Sequence, residues 1–163
     1  MNIQELIEYA IEKEVMSRRM YETVAERCED DEARMMILQL AGFEATHIDI
    51  FTRALEPEIK KLSFDVQNFI KDCEIRPFRL SNVFDQSALD QAGLEEVLKV
   101  ARGFEKSMSE FYGSIADTVP GETIKSMGKR LAGEELGHYE YISRIEGILG
   151  LSSDVHDEEF HAQ

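Results

Sequence analysis

The stretches GFEATH (42–47) and GEELGH (133–138) each place a glutamate three residues before a histidine. The pair is part of a longer repeat. Glu14 and Glu105, Glu44 and Glu135, His47 and His138, and Tyr21 and Tyr112 are all 91 positions apart. The same offset carries Leu40-Ala41-Gly42 onto Leu131-Ala132-Gly133, and Ala10 and Ala25 onto Ala101 and Ala116. Two segments are thus written on one template with no gap between the matched residues. Equivalent units that meet about an approximate two-fold axis bring matched residues together at the middle of one structure.

The template is helical. Apolar residues recur at alternating spacings of three and four in four segments, the pattern of helices packed in a bundle. The first runs from about Asn2 to Cys28, with Ile3, Ile7, Ala10, Glu14, Ser17, Tyr21, Val24 and Cys28 on its inward seam. The second follows Glu29-Asp30-Asp31 and runs to about Leu55, with Ala33, Ile37, Leu40, Glu44, His47, Phe51 and Ala54 inward. The third covers Leu94 to Thr118, with Leu98, Ala101, Glu105, Met108, Tyr112 and Ile115 inward. The fourth starts near Pro120-Gly121 and ends near Gly150, with Ile124, Leu131, Glu135, His138, Ile142, Ile145 and Leu149 inward.

Helices one and two, and three and four, are joined by short loops, which make antiparallel neighbours. The two hairpin repeats span about 2–55 and 93–149. The crossover 56–92 is long enough to run the length of a bundle at about 3.3 Å per residue. It is expected to hold a short helix with Phe64, Val66, Phe69, Ile70 and Cys73 on its apolar face. Residues 1–150 then read as a single all-α four-helix bundle, and 151–163 as a polar tail whose His156 and His161 are solvated. The 163-residue length, with 43% hydrophobic and 31% charged residues, fits one globular domain and not a disordered chain.

The seam pattern buries four carboxylates and two imidazoles. Unpaired, such charges cost several kcal/mol per ion. Either the carboxylates protonate or cations fill the space. Two divalent cations match four carboxylates with both histidines neutral. Glu14, Glu44, His47, Glu105, Glu135 and His138 are therefore the candidate ligands of a dinuclear site. Oxygen-rich ligands with one imidazole per metal suit iron or manganese, and zinc stays open because affinity alone does not exclude it. Against this stands a plainer reading, in which buried glutamate pairs only fix the register of a structural bundle. Tyr21 and Tyr112, two turns beyond their glutamates, either hydrogen-bond a ligand carboxylate or are ordinary core aromatics. The methionines, Met16, Met20, Met35, Met36, Met108 and Met127 among them, read as core filling.

The net charge of −15 makes nucleic acid and anionic membranes poor partners. No stretch approaches the roughly 20 apolar residues of a membrane span, and the acidic N-terminus MNIQELIEYAIEKE is no signal peptide. Cys28 and Cys73 form no Cys-x-x-Cys, which excludes a thiolate zinc knot or rubredoxin-type iron site within these residues. A reduced pair and a cytoplasmic location are expected.

One glutamate from each of two helices with Glu-x-x-His from the other two resembles the ferritin-like di-iron carboxylate bundles. The finer likeness is to rubrerythrins. AIEKEVMSRRMYETVAE and FEKSMSEFYGSIAD resemble the first and third helices of that family, and LAGFEATH and LAGEELGH its second and fourth. The resemblance covers about residues 3–149 without the crossover. It implies two iron ions bridged by Glu44 and Glu135, with Glu14 and His47 terminal on one and Glu105 and His138 on the other. It further implies an oxidoreductase that reacts with hydrogen peroxide or dioxygen, an external electron donor such as a rubredoxin-like protein, and a homodimer. A ferroxidase of the ferritin type is the alternative. The chain departs from the family by having no Cys-x-x-Cys pairs. It also carries Met108 where rubrerythrins have a further glutamate, which argues against a ligand exchange there and against efficient peroxidase turnover.

Overall fold

The computed structural model describes residues 3–54 and 91–151, with side chains from 6–53 and 91–151. The expected short helix of the crossover, the polar tail and its histidines, Cys73, and the side chains of Ile3 and Ala54 lie outside those residues. The described residues form four helices: α1 (Ile3–Arg27), α2 (Asp31–Ala54), α3 (Leu94–Thr118) and α4 (Glu122–Ile148). Among the described residues there is no strand, and the helices form an all-α four-helix bundle.

The helix ends follow from local chemistry. The Asp30 carboxylate accepts the Ala33 N–H at 2.8 Å and caps α2, whose first turn carries Asp31 and Glu32 at the positive end of the helix dipole. Between α3 and α4, Val119 leads into Pro120 and Gly121, and Gly121 takes φ 117°, which favours glycine. α4 ends in a Schellman motif. Gly150 lies at φ 65°, its N–H reaches the Gly147 carbonyl at 3.2 Å, and the Leu151 N–H reaches the Glu146 carbonyl at 2.9 Å.

α1 packs on α2 and α3 on α4. The hairpins then meet through α1 with α3 and α2 with α4, as an approximate two-fold relation requires. Two apolar clusters show the directions. At one end Leu6, Ile7 and Ala10 meet Phe51, Phe111, Ile115 and Ile124. At the other Val24 and Cys28 meet Ala33, Ile37, Val97, Leu98, Ile142 and Ile145. α1 and α4 therefore run one way and α2 and α3 the other. The chain leaves α2 at one end of the bundle and enters α3 at the opposite end, which is why these consecutive helices need a long connection.

The seam residues whose side chains are described are buried, apart from Leu149, which is half-buried. α4 adds one position to its seam. A Cβ on Gly128 would lie 2.8 Å from the Tyr112 carbonyl oxygen and 3.0 Å from the Ala116 backbone nitrogen. The absent side chain lets α3 and α4 approach closely beside Tyr112. The methionines divide. Met20 and Met108 are buried, as core filling requires, but Met35 is 65% exposed on the outer face of α2 beside exposed Leu38. The spacing explains it: Met35 falls two residues from both Ala33 and Ile37, about half a turn away from the inward seam.

Candidate metal centre

Midway between the two apolar clusters, all six candidate residues come together. Glu14 from α1, Glu44 and His47 from α2, Glu105 from α3, and Glu135 and His138 from α4 are each buried. They form two overlapping sets whose donor atoms lie within 4.8 Å of one another: Glu14, Glu44, His47 and Glu135, and Glu44, Glu105, Glu135 and His138.

Atom by atom the sets are mirrored. His47 Nδ1 lies 3.0 Å from Glu135 Oε1, 3.2 Å from Glu14 Oε2 and 3.5 Å from Glu44 Oε2. His138 Nδ1 lies 3.0 Å from Glu135 Oε2, 3.4 Å from Glu44 Oε1 and 3.7 Å from Glu105 Oε2. Glu44 and Glu135 each turn one oxygen to either side. Glu14 and Glu105 each turn one oxygen to one side, and give the other to a tyrosine from the opposite hairpin. The Tyr21 hydroxyl donates to Glu105 Oε1, and the Tyr112 hydroxyl donates to Glu14 Oε1. Neither tyrosine is merely a core aromatic.

This donor set is fit for metal. Buried polar atoms are normally hydrogen-bonded, yet Glu44 Oε1, Glu105 Oε2 and Glu135 Oε1 have no hydrogen-bond partner. These three oxygens face the histidine Nδ1 atoms inside the cluster. Six donors with orphaned oxygens at their centre match the needs of hard or borderline divalent cations.

Without metal, the surroundings of the cluster favour bound protons on most of its members. Burial raises the Glu14 carboxyl well above its ordinary value, reinforced by the Glu44 charge. Burial likewise raises Glu105, with the charges of Glu44 and Glu135 adding to it. Burial also opposes charge on Glu44, but the neighbouring Glu14, His138 and His47 prevail and lower it to about 2. Burial works against protonation of His138, but Glu105, Glu135 and Glu44 prevail and push it up to about 12. His47 is raised in the same way by Glu135, Glu14 and Glu44. Burial first, and then the neighbouring carboxylates, raise both tyrosines well above 10, so they remain neutral donors.

One further residue touches the cluster without being part of the repeat. Glu134 Oε2 lies 3.0 Å from His47 Nε2, and its Oε1 accepts from Arg130 Nε at 2.8 Å. Burial opposes its charge, but Arg130 and His47 prevail and lower it. Its partner position, 91 residues earlier, holds Phe43, whose ring stacks on His138 at 5.2 Å and 10°. The two motifs also differ at Ala45 and Leu136 and at Thr46 and Gly137, so the mismatch alone does not single out Glu134.

Four helices around a buried cage of glutamates and histidines define the class of ferritin-like carboxylate bundles. The rubrerythrin family model matches residues 5–146, and the chain belongs to the rubrerythrin family. No curated protein and no solved structure matches it. Among the described residues no helix is long and apolar enough to cross a membrane.

Proposed function

We propose that this protein is a non-haem di-iron oxidoreductase that reduces hydrogen peroxide or dioxygen. The observation that carries the reading is the division of Glu44 and Glu135, each with one oxygen toward His47 and the other toward His138. Two carboxylates shared in this way fit a pair of cations better than one. Glu44 and Glu135 would bridge, Glu14 and His47 would complete one position, and Glu105 and His138 the other.

Bound ferrous iron would supply the redox chemistry, one electron from each of two ions, which with two protons converts one peroxide to two waters. The protein's own groups hold the cage in shape. The two tyrosines fix one oxygen of each terminal carboxylate and leave the other directed inward. Small substrates suit the site, because the six residues are almost fully buried, with His138 the most exposed at 6%. Met108 packs in the apolar cluster beside Phe111 and Tyr112 and offers no carboxylate to exchange. Reducing equivalents come from outside these 163 residues, which hold no Cys-x-x-Cys. A homodimer is part of the proposal, and native mass checks it against a ferroxidase cage of many subunits.

The test is anaerobic loading with Fe(II), metal counting, and stopped-flow mixing with peroxide and with oxygen. Two irons per chain and rapid oxidation by either oxidant are expected. Undiminished metal content in a Glu44→Ala, Glu135→Ala double variant would sink the ligand assignment.

A further inference from the structure

The repeat makes the two halves of the cage alike in their inner donors, and the structure breaks that likeness at one place. Behind His47 stands a carboxylate, Glu134, held by Arg130. Behind His138 stands a phenyl ring, Phe43. The partner of Arg130 in the repeat is Gln39, which instead accepts the Tyr141 hydroxyl at 2.6 Å. The Arg–Glu–His chain therefore exists on one side only.

The difference has a chemical consequence. His47 turns Nδ1 to the inner carboxylates, so Nε2 carries a proton and donates it to Glu134. A carboxylate behind an imidazole fixes its ring and raises its basicity as a ligand. His138 is held by stacking, between the Phe43 ring and the His47 ring at 5.3 Å. A stacked ring restrains the plane of the imidazole and leaves its donor strength unaided.

We propose that Glu134 is a positioning residue that makes the two metal positions unequal, so that the Glu14–His47 position binds a divalent cation more tightly and fills first. This rests on the dinuclear reading given above. It predicts a populated state with one metal per chain, in a cage whose inner donors alone would make the two positions equivalent.

Co(II), an air-stable stand-in for Fe(II), provides the test. The full chain is stripped of metal and titrated by calorimetry and by the visible bands of bound Co(II). Wild type is expected to take up two ions in two resolved steps. Glu134→Ala is expected to weaken the tighter step by about 10- to 100-fold, the usual effect of losing such a partner, and to leave the weaker step unchanged. Glu134→Gln keeps the shape and an acceptor without the charge, and is expected to fall between. Glu134→Gln keeps an acceptor for the buried His47 Nε2–H, and its metal-free melting temperature is expected to stay near wild type, whereas Glu134→Ala leaves that N–H unpaired and is expected to melt lower without metal. Two ions bound with equal constants, or both steps weakened alike in Glu134→Ala, would overturn the inequality and spare the dinuclear reading. Fewer than two ions bound by wild type would overturn both.

Discussion

Tyr21 lies seven residues after Glu14 on the same helix, yet its hydroxyl serves Glu105 across the bundle, and Tyr112 returns the favour to Glu14. Each tyrosine thus ties a carboxylate of one hairpin to the other hairpin. Tyr21→Phe removes the donor and leaves a buried carboxyl oxygen unpaired, at a cost of about 1–3 kcal/mol. The expected result is a lower melting temperature and metal affinity reduced by about tenfold or more. Unchanged affinity by calorimetry would reduce the tyrosine to a packing role. The proton inventory gives a second prediction. In the metal-free protein burial favours protons on Glu14 and Glu105, and the surrounding carboxylates favour protons on His47 and His138, all of which metal must displace. Loading with two divalent ions is expected to release about four protons per chain, measured with an indicator dye in weak buffer. Release of one or none would mean that the cage does not exchange protons for metal.

The inner residues could be read from the chain because subtraction finds whatever is duplicated. Glu14, Glu44, His47 and their partners share one offset and one seam. Glu134 could not be found in that way. It has no duplicate, and it stands one residue before Glu135 at the edge of the seam, where an acidic residue ordinarily means solvent. The partly buried pair of Arg102 and Glu146, at 3.0 Å between α3 and α4, escaped for the same reason, since its repeat partners are Ile11 and Leu55. Symmetry in a sequence discloses shared architecture and conceals what each half does alone.

At the scale of elements, the hairpins differ in how closely their helices approach. Ile37 on α2 corresponds to Gly128 on α4. Ile37 fills its place in the core, while Gly128 leaves no room for a Cβ against the Tyr112 carbonyl. Replacing glycine with alanine within a helix ordinarily gains up to about 1 kcal/mol. Here the obstacle is backbone, so α3 and α4 must move apart, and such overpacking costs about 1–3 kcal/mol. Gly128→Ala is therefore expected to lower the denaturation midpoint, and to loosen metal binding by shifting Tyr112 from Glu14. A more stable variant would show that the helices separate at no cost. The helix limits were readable from period and from Asp30, Pro120 and Gly121, and the period sets Gly128 on the seam apart from Gly133 and Gly137 on open faces, but it does not reveal that backbone lies against Gly128.

At the scale of the whole molecule, the cage links stability to pH. Above about 4.5, the unfolded chain releases protons that folded Glu14 and Glu105 retain, and above about 6.5 the same holds for both imidazoles. The folded state then binds more protons than the unfolded one, so metal-free stability falls as pH rises. Glu44 acts oppositely: its contribution is present above about 4.5 and is lost as pH falls toward about 2. Metal-free protein is therefore expected to be most stable in mild acid. Loaded protein is expected to grow more stable toward neutral pH, where protons no longer compete with metal. Thermal melts across pH with and without chelator check both slopes, and parallel curves would contradict the exchange.

Each set of donors draws on residues from both sides of the connection between α2 and α3. Neither hairpin alone carries a complete set, so the cage comes into being only when the hairpins have docked. An ion arriving at that moment acts as a clasp closed last. It is expected to slow the parting of the hairpins while leaving the pace of their assembly untouched, since interactions made after the barrier govern unfolding. Longevity, more than speed of maturation, is what metal would confer on this bundle.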